Sequence, residues 1–179
     1  MVKDGSVSPS VVTWGQGDAL NQFEAGKAAM MENGPWQIPS LKATKGLNFG
    51  YVPIPTRTAS QKSIAPLGGE TFTVPNTGNK SREAAAGKIV ACINSTKNEN
   101  TIATVNNYIP SNPTAAAAFG KANPDLAGFV SIVSDARSRT GKLGILWPTV
   151  GTEIYQAEQL ALTGKATGKA ALAQVIANN

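Results

Sequence analysis

The segment that most constrains this chain is Phe23–Trp36, which reads Phe-Glu-Ala-Gly-Lys-Ala-Ala-Met-Met-Glu-Asn-Gly-Pro-Trp. Small and apolar residues at helical spacing predict a helix over 17–32 that ends at the Asn33-Gly34 step. The Gly-Pro step then fixes a backbone corner, because glycine accepts positive φ and proline presets its own φ. The corner places the Trp36 ring at the start of the next segment, where it is open either to a ligand or to the protein core.

Turn residues divide the remainder into many helices and few strands. Strands are expected over 48–53 and over 70–75, where polar and apolar residues alternate. Asn79 or Ser81 is the candidate cap of the first long helix, and Pro124 opens a later one. The predicted helices cover 81–96, 99–105, 113–120, 124–136, 149–163 and 168–177. This balance indicates α/β layering, although a complete parallel sheet would need more strands than the chain supplies.

Side chains that carry out catalysis are scarce. The chain has no histidine, the most common general base and metal ligand. Its single cysteine, Cys92, follows the apolar spacing of the helix predicted over 81–96 and is interpreted as a small core residue. Glu153 and Glu158 form a close carboxylate pair, but they share one helix and lack a second partner. We therefore predict a protein that is not an enzyme and has no metal site and no cofactor.

The charge of the chain argues against a nucleic-acid partner. The net charge is +5, from 16 basic and 11 acidic residues. The basic residues are scattered, with no run of four and no interleaving with aromatic residues of the kind that nucleic-acid surfaces show. We interpret the charge as solvated surface and expect no nucleic-acid binding, while docking onto an acidic partner stays open.

Six motifs in order resemble the sugar-binding subunits of ABC importers, the family-1 extracellular solute-binding proteins. Each motif is weak alone, but the ordered set extends over nearly the whole chain. The motifs are Phe23–Trp36, Asn48–Pro55, Leu67–Glu70, Asn107–Ser111, Ala136–Arg139 followed by Trp147-Pro148, and Ala161–Gly164.

The resemblance implies a protein that binds a mono- or oligosaccharide between two lobes. In the family, the tryptophan that corresponds to Trp36 stacks on a sugar ring. Aromatic faces suit the apolar faces of sugars, and charged or amide groups suit their hydroxyls. A glycine pair lets a ligand approach the backbone closely. The ligand-binding residues implied in this way are Trp36, Gly68, Gly69, Glu70, Asn107, Tyr108, Arg137 and Arg139.

The resemblance also implies an architecture, namely the C-terminal part of a two-lobed periplasmic-binding-protein fold. Residues 1–66 would belong to the C-terminal lobe, and 67–120 would provide the hinge crossover and helices of the N-terminal lobe. Residues 121–179 would return to the C-terminal lobe and supply the closing helices. Members of the family are longer than this chain, so we expect a fragment that completes neither lobe.

The expected partners are a carbohydrate ligand, the membrane subunits of an ABC importer, and either a missing N-terminal half or a second copy of the chain. The full-length parent is expected outside the cytoplasm, in the periplasm or as a cell-surface lipoprotein. No charged-then-apolar leader is visible near Met1, so we expect no signal peptide in this chain. The alternative is a non-catalytic interaction or structural module derived from such a binding protein.

Overall fold

The structure, a computed structural model, describes residues 1–177 as a helix-rich chain. Short 3-10 helices at Pro9–Thr13, Pro35–Gln37, Pro124–Leu126 and Gly144–Leu146 precede or connect the α-helices. The prediction of a helix-rich chain with few strands is confirmed. Within the described residues the α-helices are α1 (Gln16–Glu24), α2 (Ile38–Ala43), α3 (Lys80–Ile93), α4 (Thr96–Asn106), α5 (Pro113–Ala122), α6 (Ala127–Val133), α7 (Trp147–Leu162) and α8 (Gly168–Ala177).

Two predicted helix starts, at Asn79 and at Pro124, are found in the structure. Asn79 caps α3, since its Oδ1 accepts a hydrogen bond from the Arg82 amide at 3.1 Å. Asn112 caps α5 in the same way and accepts from the amides of Thr114 and Ala115. Pro124 opens a 3-10 turn that leads into α6, so the predicted helix start is confirmed with a tighter first turn.

The first predicted helix, over 17–32, is shorter than expected. Gly26 has φ +68, its amide donates to the Phe23 carbonyl at 3.0 Å, and the Lys27 amide donates to the Gln22 carbonyl at 2.9 Å. This pair of bonds is a Schellman motif, which ends a helix at a left-handed glycine. The prediction that the later Asn-Gly step ends this helix is therefore wrong, and that step lies in non-helical chain.

The described chain contains only two very short strands. β1 (Pro66–Leu67) and β2 (Arg137–Ser138) pair in parallel over two residues each. The strands predicted over 48–53 and 70–75 are wrong. A strand is stabilised by packing and pairing with distant segments, so local alternation alone does not create one.

The chain divides into two compact units. The central unit is Glu32–Ser138, and the terminal unit joins Met1–Met31 to the chain from Arg139 onward. The boundaries predicted at 66/67 and 120/121 refer to lobes of a longer protein, and they stay a prediction.

The core of the central unit gathers residues from four elements. Phe119 of α5 is 5% exposed and fills the space between α2, α4 and the 3-10 turn before α6. The buried members are Ile38, Ala103, Phe119 and Leu126, and the partly buried residues packed against them are Phe49, Ile109, Phe129 and Val130. Burial of apolar side chains is the main source of stability here.

The terminal unit is organised by a hairpin of α7 and α8. Gly164, with φ +74, turns the chain after α7. Ala157 packs with Ala171 and Val175, and all three are buried. Small side chains at this seam let the two helices approach closely.

The outer helix α3 contributes little to the core. In the part of the chain that the structure describes, none of its residues is fully buried, and Ile89 is 62% exposed. Cys92 is exposed, so its interpretation as a core residue is wrong. The apolar spacing predicted the helix correctly, but the face it marks does not dock on the core. Among residues 1–177, no helix combines the length and the apolar character that crossing a membrane requires.

Candidate functional site

Trp36 and Tyr108 form an aromatic pair at the surface of the central unit. Their ring centroids are 6.4 Å apart and the ring planes meet at 88°, an edge-to-face arrangement. Trp36 is 44% exposed, so part of its ring surface faces solvent. Two residues that the family resemblance selected independently are therefore brought together.

The core of the central unit holds both rings in place. Trp36 lies in the 3-10 turn Pro35–Gln37, directly before the buried Ile38. Tyr108 directly precedes Ile109, which packs against the same cluster. Each ring therefore lies within two residues of a side chain that packs in this core, and this limits how far the pair can separate.

Glu70 is the third member of this candidate site. The Tyr108 hydroxyl donates to Glu70 Oε1 at 3.4 Å, a long hydrogen bond. Glu70 is exposed and follows β1 through Gly68 and Gly69. A Cβ on either glycine would meet no atom within 4 Å. The backbone beside the carboxylate is therefore open to an incoming molecule.

The loop that carries Tyr108 is fixed by two features. Asn107 ends α4 in the left-handed conformation, with φ 54 and ψ 37, which turns the chain sharply. Glu99 then clamps the end of the loop, because its carboxylate accepts from the Ser111 hydroxyl at 2.5 Å and from the Asn112 amide at 3.2 Å. Sequence reasoning missed Glu99, since a carboxylate in the first turn of a helix gives no sign of a partner further along the chain.

Within residues 1–177, neither predicted arginine makes a hydrogen bond, ion pair or ring contact with Trp36, Tyr108 or Glu70. The Arg137 guanidinium donates to the carbonyls of Asp135 and Ala136, and the Arg137 backbone amide donates to the carbonyl of Ala65, which directly precedes β1. Arg139 belongs to the terminal unit, where its guanidinium carbon lies 5.8 Å from the centroid of the Trp147 ring. Their roles as ligand contacts stay predictions.

The terminal unit carries an open groove of a different character. Its volume is about 420 Å³, and it lies between the 3-10 helix Pro9–Thr13, α7 and α8. The lining is aliphatic and amide-rich, with no aromatic ring and no carboxylate. The lining residues are Val12, Thr13, Gln156, Gln159, Leu160, Thr163, Lys165, Gln174 and Val175. It therefore lacks the flat faces that suit a sugar ring.

The chemistry available at the aromatic site is recognition. Trp36 offers a partly exposed aromatic ring, and its ring neighbour Tyr108 carries a hydroxyl that is hydrogen-bonded to the Glu70 carboxylate. Within residues 1–177, no group of three or more His, Cys, Asp and Glu side chains is arranged to hold a metal ion. An aromatic face with a few placed polar groups suits a ligand that has apolar faces and a rim of hydroxyls.

Comparison with known proteins gives a family match over most of the chain. The model of a family described as bacterial extracellular solute-binding protein matches residues 1–128. This span includes Trp36, Gly68, Gly69, Glu70 and Tyr108. The matched family is one of binding proteins, not of enzymes.

Two curated relatives carry the same printed name, "Maltooligosaccharide ABC transporter solute-binding lipoprotein". They come from Streptococcus pneumoniae serotype 4, strain TIGR4, and from strain R6. Each is 32% identical to this chain over 104 residues, which cover 58% of this chain and 24% of the relative. The aligned part thus spans about a quarter of the length of the relatives.

Proposed function

We propose that this chain recognises a carbohydrate at the Trp36–Tyr108–Glu70 site, starting from the fact that it belongs to the family of bacterial extracellular solute-binding proteins. The resemblance found in its motifs is thereby confirmed. The single observation that carries the proposal is the edge-to-face aromatic pair, with Trp36 partly exposed and the Glu70 carboxylate beside Tyr108. A sugar ring would stack on Trp36 while its hydroxyls bond to Glu70.

The proposed ligand class is a glucose oligosaccharide of the maltose series. The support is the printed name of the two pneumococcal relatives, at 32% identity. Such ligands present a succession of apolar ring faces, which suits a site built on an aromatic platform. Asn107, Arg137 and Arg139 are proposed as additional polar contacts of the complete site.

We further propose that the chain is part of the binding subunit of an ABC sugar importer and works outside the cytoplasm. In the complete protein the ligand would lie between two lobes that close by a hinge, and the partners would be the membrane subunits. The support is the family match, together with the fact that the aligned part covers 24% of the length of each relative.

Exposed apolar side chains favour a further covering partner, either additional chain of the complete protein or a second copy. Val105 of α4 is 71% exposed, Ile89 of α3 62% and Ile145 95%. Where such side chains form a contiguous patch, the patch is commonly buried by association. We expect the isolated chain to self-associate, which light scattering measures; a strictly monomeric chain over a wide concentration range would contradict this part of the proposal.

The isolated chain should bind sugar weakly. On this proposal part of the contacts and the lobe closure come from the rest of the complete protein, so for the isolated chain micromolar affinity should fall to millimolar or worse, a loss of roughly 4 kcal/mol. Saturation-transfer NMR on maltotetraose detects such weak binding. Transfer to the sugar from the wild-type chain, lost in Trp36→Ala, supports the site; micromolar binding by the isolated chain would show that it is a complete binding domain.

The exposed faces also favour the alternative of a non-catalytic interaction module. A module of that kind would associate with another protein surface and give no saturation transfer to any mono- or oligosaccharide. Thermal shift with a panel of sugars separates the two functions, because only a sugar-binding chain is stabilised by ligand.

A further inference from the structure

Gly34, which precedes the Pro35–Trp36 pair, is not required by its backbone conformation. It has φ −104 and ψ 170, an extended geometry that any residue adopts before a proline. The expectation that this glycine supplies a positive φ is therefore wrong. The position must therefore require glycine for another reason.

The reason is that glycine has no side chain. A Cβ built on Gly34 would overlap three carbons at the far end of the Trp36 indole, Cη2, Cζ3 and Cζ2. The ring therefore lies directly across the Gly34 backbone. The contrast with Gly50 is sharp, since a Cβ there would meet no atom within 4 Å.

The overlap would be relieved by moving the ring. The overlapping atoms belong to the free end of a side chain that is 44% exposed, whereas Ile38, two residues further on, is buried in the core. A side chain at Gly34 would thus push the indole outward and leave the core in place. The edge-to-face contact with Tyr108 depends on the present ring position.

We infer that Gly34 is a positioning residue for sugar recognition: by lacking a side chain it lets the Trp36 indole lie across the backbone and against Tyr108, whose hydroxyl is hydrogen-bonded to Glu70. This inference rests on the proposed function for its consequence, which is ligand affinity. Its structural part concerns the ring position alone and is measured without ligand.

The ligand-free test compares Gly34→Ala with the matched control Gly50→Ala in the ¹⁵N-labelled full chain. The chain has three tryptophans, and the Trp36 indole N–H signal is assigned by its loss in Trp36→Phe. We expect Gly34→Ala to shift this signal and to abolish the cross-relaxation between the Trp36 and Tyr108 rings. Gly50→Ala should change neither. An unchanged Trp36 signal and ring contact in Gly34→Ala would overturn the inference.

The second arm titrates maltotetraose and follows the backbone amides of the central unit. We expect Gly34→Ala to raise the Kd at least about fivefold, comparable to losing a stacking contact, and Gly50→Ala to leave it unchanged. If wild type shows no response to the sugar, the proposed function fails, while the ligand-free arm still decides the ring position.

A double substitution distinguishes a specific effect on the indole from general misfolding of Gly34→Ala. Trp36→Phe removes the distal carbons that a Cβ at position 34 would overlap. Adding Gly34→Ala to Trp36→Phe should then change the urea midpoint and the Tyr108 environment little. A double variant as perturbed as Gly34→Ala alone would show that Gly34 acts through something other than the indole, and would overturn the inference.

Discussion

Replacing Trp36 by alanine should weaken sugar binding without the stability loss of a core truncation. Removing an aromatic platform from a stacked ring costs about 1–3 kcal/mol, by analogy with bases stacked on aromatic side chains. That range corresponds to an increase in Kd of roughly 5- to 150-fold. Saturation-transfer NMR with maltotetraose measures the change.

The exposure of Trp36 sets the expected effect on folding. A buried tryptophan truncated to alanine costs about 3–5 kcal/mol of stability. Because Trp36 is 44% exposed and has one aromatic neighbour, Tyr108, the free energy of unfolding should fall by about 2 kcal/mol or less. Urea melts of the same variant measure this quantity.

A matched control and a refuting result complete the test of Trp36. Tyr155 of α7 is 52% exposed and lies in the terminal unit. Tyr155→Ala removes a comparably exposed aromatic ring and should leave sugar affinity unchanged. If Trp36→Ala kept full affinity while losing about 3–5 kcal/mol of stability, the ring would be a core element and the reasoning would be wrong.

Three further predictions concern the scaffold. Phe119→Ala should lower the free energy of unfolding by about 3–5 kcal/mol in urea melts, since Phe119 is 5% exposed in the central core; a loss near zero would contradict that core. Hydrogen bonds from Lys80 and from the Thr77 and Gly78 amides lower the pKa of Glu83. Its stabilising contribution is therefore present above the ordinary glutamate pKa and is lost as pH falls through the lowered value, so melts of Glu83→Gln should converge with wild type in acid; a constant difference at every pH would refute this. Cys92 is exposed and should react with a thiol reagent in the native chain at nearly the rate of the unfolded chain; strong protection would show that it is covered.

Local sequence signals predicted the helices well because their causes are local. The segment Lys80–Ile93 combines an asparagine cap with residues that favour helix, and α8 follows a glycine that permits a sharp turn. The predicted end of α1 is wrong because the chain has two glycines that could end the helix, Gly26 and Gly34. Gly26 comes first and ends the helix with a left-handed cap.

The positions of the strands and the exposure of α3 could not be predicted because their causes are distant. Alternation over 70–75 indicates a pleated surface, but the strand pair forms between Pro66–Leu67 and Arg137–Ser138. Whether a helix face is covered depends in the same way on what packs against it. Cys92 follows a helical apolar spacing and is nevertheless exposed.

The candidate site was predicted in part, since motif resemblance selected Trp36, Tyr108 and Glu70 without indicating that Tyr108 contacts both of the others. The contact between Trp36 and Tyr108 depends on Ile38 and Ile109 packing into one core, and sequence alone does not give that. The role of glycine at position 34 could not be predicted either. It depends on the position of the Trp36 indole, which a Cβ at residue 34 would overlap.

The most direct test of sugar recognition is a titration of maltotetraose into the ¹⁵N-labelled chain. We predict saturable shifts, in the millimolar range expected for the isolated chain, at the Trp36 indole N–H and at the amides of Gly69, Glu70 and Tyr108. The amide signals of Tyr155 and its neighbours in α7 should not shift. The absence of any shift with maltotetraose or with other mono- and oligosaccharides, together with stabilisation by peptides or metal ions, would contradict a carbohydrate-binding function.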